Sequence, residues 1–106
     1  MIKGKEVRLK PSQISMICEA FRSSFLENDH LWLFGSRANL SKRGGDIDLY
    51  VETSLGVDKV LEAKLFFARQ LFKTFDDQKI DIVIRHQDAK NLPIYKHAKE
   101  TGVQIL

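Results

Sequence analysis

One cysteine in 106 residues excludes a disulfide within the chain, so a packed core has to supply the stability, and the length is sufficient for one. No stretch approaches the roughly 18 consecutive apolar residues that a membrane-spanning helix needs. The N-terminal Met1-Ile-Lys-Gly-Lys-Glu-Val-Arg-Leu-Lys10 has cations, but neither the continuous apolar region nor the small-residue cleavage pattern of a secretory leader. These absences predict a cytoplasmic protein with no membrane partner. Internal repeats, low-complexity tracts and linkers are also missing, which predicts one domain over 1–106. The net charge of +3 mildly favours polyanionic partners such as nucleotides. No run of five or more cations forms a nucleic-acid-binding arm, so a nucleic-acid partner is not expected. His30, His86 and His97 lack metal-ligand spacing; His86 is read as an exposed residue beyond a strand, near the edge of any site there.

What is present is an ordinary globular composition, 43% hydrophobic and 29% charged, arranged in alternating helical and strand patterns. Pro11 and Ser12 open a segment with apolar residues at 14, 17, 18, 21 and 25, the spacing of one buried face of a helix over 12–27. Cys18 lies on that face and is read as core. Leu31–Phe34 is a short apolar run, predicted as a strand buried on both sides with Trp32 as core, and 46–52 is a second strand. Between them, 37–45 is polar, ends in Gly44-Gly45 and reads as a loop. Residues 58–75 repeat apolar positions at 61, 65, 68, 72 and 75, flanked by 60, 67 and 71, a wide stripe with Asp58, Glu62, Arg69 and Lys73 opposite, predicting a helix packed against the sheet with its four phenylalanines as core. Lys79–Ile84 is a third strand. Asn91 is placed to cap a last helix with Pro93 in its first turn, and Gly102 to end it before a final strand-like 103–106.

The most informative stretch is Leu31-Trp-Leu-Phe-Gly-Ser-Arg-Ala38 followed by Gly44-Gly-Asp-Ile-Asp-Leu-Tyr-Val51. Aspartate is depleted in strands, and two like charges on one face of a strand repel, so Asp46 and Asp48 together point to a bound cation. Strand alternation puts Asp46, Asp48 and Tyr50 on one face and Ile47, Leu49 and Val51 on the other. If the third strand lies beside the second with Ile80, Ile82 and Ile84 on the helix-covered side, Asp81 joins the two acids. The expected fold is therefore α/β (α+β): a short mixed sheet with helices packed on one face and an open acidic face. Three such carboxylates suit Mg²⁺, a hard cation that leaves positions for water and phosphates. Gly35 lets backbone approach a triphosphate, and the Ser36 hydroxyl can donate to it.

Gly35-Ser36, a short spacer, Asp46-x-Asp48 on a strand and a later strand Asp81 together resemble the polymerase-beta-like nucleotidyltransferases. The chain is most similar to their minimal, single-domain branch, typified by the nucleotidyltransferase antitoxin paired with a HEPN-domain toxin. The resemblance runs from Leu31 through Ala98-x-x-x-Gly102-Val; the first and last helices match in pattern only. It implies a polymerase-beta-like fold, Asp46 and Asp48 as ligands of two Mg²⁺ ions, and Asp81 as a ligand of one that helps deprotonate an acceptor hydroxyl. It further implies that Gly35 and Ser36 hold the triphosphate of ATP or another NTP, while Arg37 contacts phosphate or braces the loop. Gly45 departs from the frequent serine before the first acid without removing a ligand.

Other motifs fail on particular residues. A calcium loop beginning at Asp46 needs glycine and glutamate where Val51 and Val57 stand. A P-loop needs Gly-Lys-Ser/Thr, and a hydrolase elbow needs glycine where Ala38 stands. Lys42 and Arg43 are read as solvated loop cations. Two function classes follow. The first is an enzyme transferring a nucleoside monophosphate, AMP from ATP by preference, to a hydroxyl such as a tyrosine of a HEPN-type partner, whose surface would replace an acceptor domain. The second is a non-catalytic antitoxin that neutralises its partner by binding. Base preference is left undetermined, and a homo-oligomer stays open.

Overall fold

A computed structural model describes residues 9–35, 46–75 and 79–106. In them the chain runs α1 (Pro11–Ser24), β1 (His30–Phe34), β2 (Ile47–Glu52), α2 (Val57–Thr74), β3 (Ile80–Arg85), α3 (Pro93–Thr101) and β4 (Val103–Gln104). The strands form one mixed sheet in the order β3-β2-β1-β4. β1 is antiparallel to β2 and β4, whereas β2 and β3 are parallel and are therefore joined by a crossover helix, α2. The Cα radius of gyration of 12.9 Å is that of a compact α+β domain.

Local chemistry sets the element ends. Pro11 supplies a helical φ at the start of α1, and Gln13 Oε1 accepts the Lys10 N–H at 2.8 Å. At the other end the Leu26 N–H donates to Asp29 Oδ2 at 2.8 Å, which draws the chain out of the helix before the expected position 27. Asn91 does not cap α3. Leu92 holds the cap position with no side-chain bond, and Asn91 Oδ1 instead accepts from Arg85 Nη2 at 2.6 Å. After α3 only two residues form β4, but the N–H groups of Ile105 and Leu106 still donate to the Leu31 carbonyl. Gly102 makes that return fit, because a Cβ there would lie 2.5 Å from the Ala98 carbonyl oxygen and 2.8 Å from that of Leu33.

The main core lies between one sheet face and two helices. Leu31, Leu33, Ile47, Leu49 and Val51 meet Ile17, Phe21 and Phe25 from α1 and its C-cap, and Ala63, Phe67 and Leu71 from α2. Phe21, Phe25 and Phe67 form a ring cluster with centroids 5.0–5.9 Å apart. Cys18 is buried here. α2 buries only part of the wide stripe expected of it. Its buried residues are Ala63, Phe67 and Leu71, with Phe75 buried at the C-cap, while Leu61, Leu65, Phe66 and Phe72 are exposed. The helix carries two adjacent apolar arcs. The sheet takes the arc of Ala63, Phe67 and Leu71.

The expectation that helices cover only one face is also corrected. Trp32 and Phe34 of β1 and Tyr50 of β2 are apolar on the opposite face, and α3 buries them with Tyr95 and Ala98. Trp32 stacks near Tyr50, and Tyr50 on Tyr95, at centroid distances of 5.2 and 5.7 Å.

A buried carboxylate ties the two turns at one end of the sheet. Asp29 is 6% exposed and accepts the N–H groups of Leu26 and Ser54, at 2.8 and 3.0 Å, and the Thr53 hydroxyl. Asp29→Ala leaves these donors without their acceptor, so it should cost about 2–3 kcal/mol. Urea unfolding should show this as a lower midpoint with an unchanged m-value.

Candidate functional site

Asp48 and Asp81 come together because of strand register. In the parallel β2–β3 pair Ile47 stands beside Ile80, Asp48 beside Asp81 and Leu49 beside Ile82. The isoleucines and leucine turn into the core, so both aspartates emerge on the opposite face. Asp46 precedes β2 by one residue, shares that face and is exposed, as is Asp81; Asp48 is half-buried.

β1 contributes the next part. Phe34 is the register partner of Asp48, and Gly35 follows it with φ +75°, a left-handed backbone that favours glycine. The position where a Gly35 Cβ would stand is taken by the Asp48 carboxylate. Backbone turn and acid are thus packed together, so the Gly35 end of one motif and the acid end of the other meet in space. Ser36 and Arg37, expected to bind phosphate, lie outside the described residues, as do Lys42, Arg43 and Gly45.

Electrostatics single out Asp48. Burial is the largest cause that lifts its pKa above the ordinary carboxylate value, followed by the charges of Asp81 and Asp46 and a hydrogen bond to Asp81; Lys79 opposes them. Lys79 is a neighbour that sequence reading treated only as the start of a strand. Its place one residue before the Ile80–Arg85 strand was the signal for it.

The carboxylates fit a hard cation in kind, since positive charge at Asp48 and Asp81 would relieve the repulsion that raises Asp48. Among the described residues no three His, Cys, Asp or Glu side chains form a ready metal-binding group. Mg²⁺ does not require one: it is commonly bound through one or two carboxylates, with waters and substrate phosphates completing the octahedron.

The same sheet face ends in a different chemistry. The Tyr50 hydroxyl donates to Glu52 Oε2 at 2.7 Å, and burial together with this bond pushes the phenol well above its ordinary pKa. Lys99 Nζ lies 3.3 Å and Arg85 Nη1 4.0 Å from the same Glu52 oxygen. Period-two alternation from Asp48 through Tyr50 to Glu52, and from Asp81 to Arg85, was the signal for this cluster. His86 lies beyond this end of β3, away from Asp81, and its Nδ1 accepts the Asp88 N–H at 3.2 Å.

A raised folded-state pKa means that the folded chain binds a proton at Asp48 more tightly than the unfolded chain does. This stabilising contribution is complete below the ordinary carboxylate pKa and is lost as pH rises through the raised value. Asp48→Asn should therefore melt above wild type at pH 7, with the gap closing as the pH falls through the ordinary carboxylate range. Millimolar Mg²⁺ should raise the wild-type melting temperature at pH 7 more than that of the variant. Differential scanning calorimetry with and without the ion checks both.

Compared with family models and with curated proteins, the chain matches neither a family model nor a curated protein sequence.

Proposed function

We propose that this protein is a Mg²⁺-dependent nucleotidyltransferase of the polymerase-beta-like, minimal single-domain type. It moves a nucleoside monophosphate, AMP from ATP by preference, to a hydroxyl, with a tyrosine of a HEPN-type partner as the acceptor. The observation that carries this reading is the packing of Asp48 between Asp81 and the Gly35 turn. Two acids on adjacent strands, beside a backbone turn with room for no side chain, suit a site for metal-bound phosphate. The mixed sheet with parallel β2 and β3 supports the fold implied by the motif resemblance.

In this proposal Asp46 and Asp48 hold the ions from one strand and Asp81 completes a site from its neighbour. Bound Mg²⁺ would neutralise the triphosphate and stabilise charge on the departing pyrophosphate. The acceptor oxygen forms a bond to the α-phosphorus while the bond from that phosphorus to the bridging oxygen of pyrophosphate breaks. Asp81, exposed at the open end of the face, takes the hydroxyl proton. Gly35 brings main chain to the phosphates, and Ser36 and Arg37 hold them.

Mass spectrometry of the HEPN-type partner after coexpression provides the test. Wild type should add one or more nucleotidyl units to the partner, whereas Asp48→Asn and Asp81→Asn should lower the modification rate about 100-fold or more. A stable complex with no added mass would replace the transfer reading with neutralisation by binding.

A further inference from the structure

We infer that α2 carries a self-association surface, on which a second copy of this chain docks antiparallel to the first. Val57, Leu61, Leu65 and Phe72 are 67, 63, 56 and 54% exposed. At 100° per residue they share, with half-buried Ala68, one arc beside the Ala63, Phe67 and Leu71 face that packs on the core. The arc points away from α1, which meets α2 through the opposite flank, where Ser23 and Ser24 share a groove with Lys59, Glu62, Ala63 and Phe66, Glu62 standing between that groove and the stripe. Leu61, Leu65, Ala68 and Phe72 have the four-three-four spacing of a helix-pairing seam.

Charge selects the occupant and its direction. Along the solvent edge of the stripe, the first half of α2 carries Asp58 and Glu62 and the second half Arg69 and Lys73. An antiparallel copy sets Glu62 opposite the partner's Arg69 and Asp58 opposite the partner's Lys73. The same two-fold axis places Leu65 against the partner's Ala68 and Leu61 against the partner's Phe72, large against small at the centre. A parallel copy would set acid against acid and base against base. The stripe is therefore complementary to itself in one orientation, as an isologous dimer requires. Its modest apolar area places the dimer among small, reversible interfaces. α2 lies on the sheet face opposite Asp48 and Asp81, so the inference does not rest on nucleotidyl transfer.

Sedimentation equilibrium of the full chain over about 5–500 µM tests this. Wild type should show a concentration-dependent dimer. Glu62→Lys and Arg69→Glu should each weaken it about tenfold, and the double variant should return to within about threefold of wild type. Leu65→Glu, a change at an exposed position, should be monomeric with an unchanged far-ultraviolet circular dichroism spectrum. A wild type that is monomeric throughout assigns the stripe to another partner and overturns the proposal. A double variant no tighter than the single ones, or a dimer that persists in Leu65→Glu, overturns it as well.

Discussion

The parallel registration of β2 against β3 is the constraint on which the rest of the structure depends. It sets one acid beside another, an arrangement that repulsion and burial both oppose. The same registration sets Ile47, Leu49 and Val51 beside Ile80, Ile82 and Ile84 on the reverse side, where they join the core. A slip of one residue would separate the acids, but it would also turn an apolar row to solvent. The hydrophobic effect on one side of the sheet thereby maintains an electrostatically unfavourable arrangement on the other. α2 serves the same constraint, since two parallel neighbours need a crossover and the crossover supplies half of the cover for that core.

The acid-bearing face is divided along its length. At the Asp48 end, among the described residues, glycine backbone is the neighbour across to β1. At the Glu52 end the face is closed by α3, whose Tyr95 stacks on Tyr50 and whose Lys99 pairs with Glu52. Apolar and paired residues thus take up the part of the face that helices can cover. The acids Asp46, Asp48 and Asp81 stand in the part that α3 leaves uncovered.

Much of this was legible in the amino-acid order because strands encode faces with a period of two. Asp46, Asp48 and Asp81 stood out as acids in apolar strands; alternation placed the first two on one face, and Asp81 joined them on the condition that the third strand lay beside the second. Helix phase was less legible. α2 is apolar over two neighbouring arcs of similar residue types, each with one alanine, and the sheet takes the arc of Ala63, Phe67 and Leu71. Nothing local distinguishes an apolar arc meant for the core from one left outside it. The cover over Trp32 and Tyr50 was encoded more plainly, since a strand apolar on both sides demands burial on both sides. Asp29 escaped notice because its donors, on Leu26, Thr53 and Ser54, include two from a turn distant in sequence. Ser36 and Arg37, expected at the phosphates, lie outside the described residues.

The chain has one tryptophan, and it stands at the α3 interface. Trp32 is 7% exposed, with Lys99 Nζ 5.3 Å from its ring centroid and Tyr50 beneath it. The phenylalanine cluster, by contrast, lies across the sheet. Intrinsic fluorescence excited at the indole band consequently reports directly on the docking of one short helix, and on the larger core only through the strand they share. The protein carries its own optical probe of whether the covered half of its acidic face is closed.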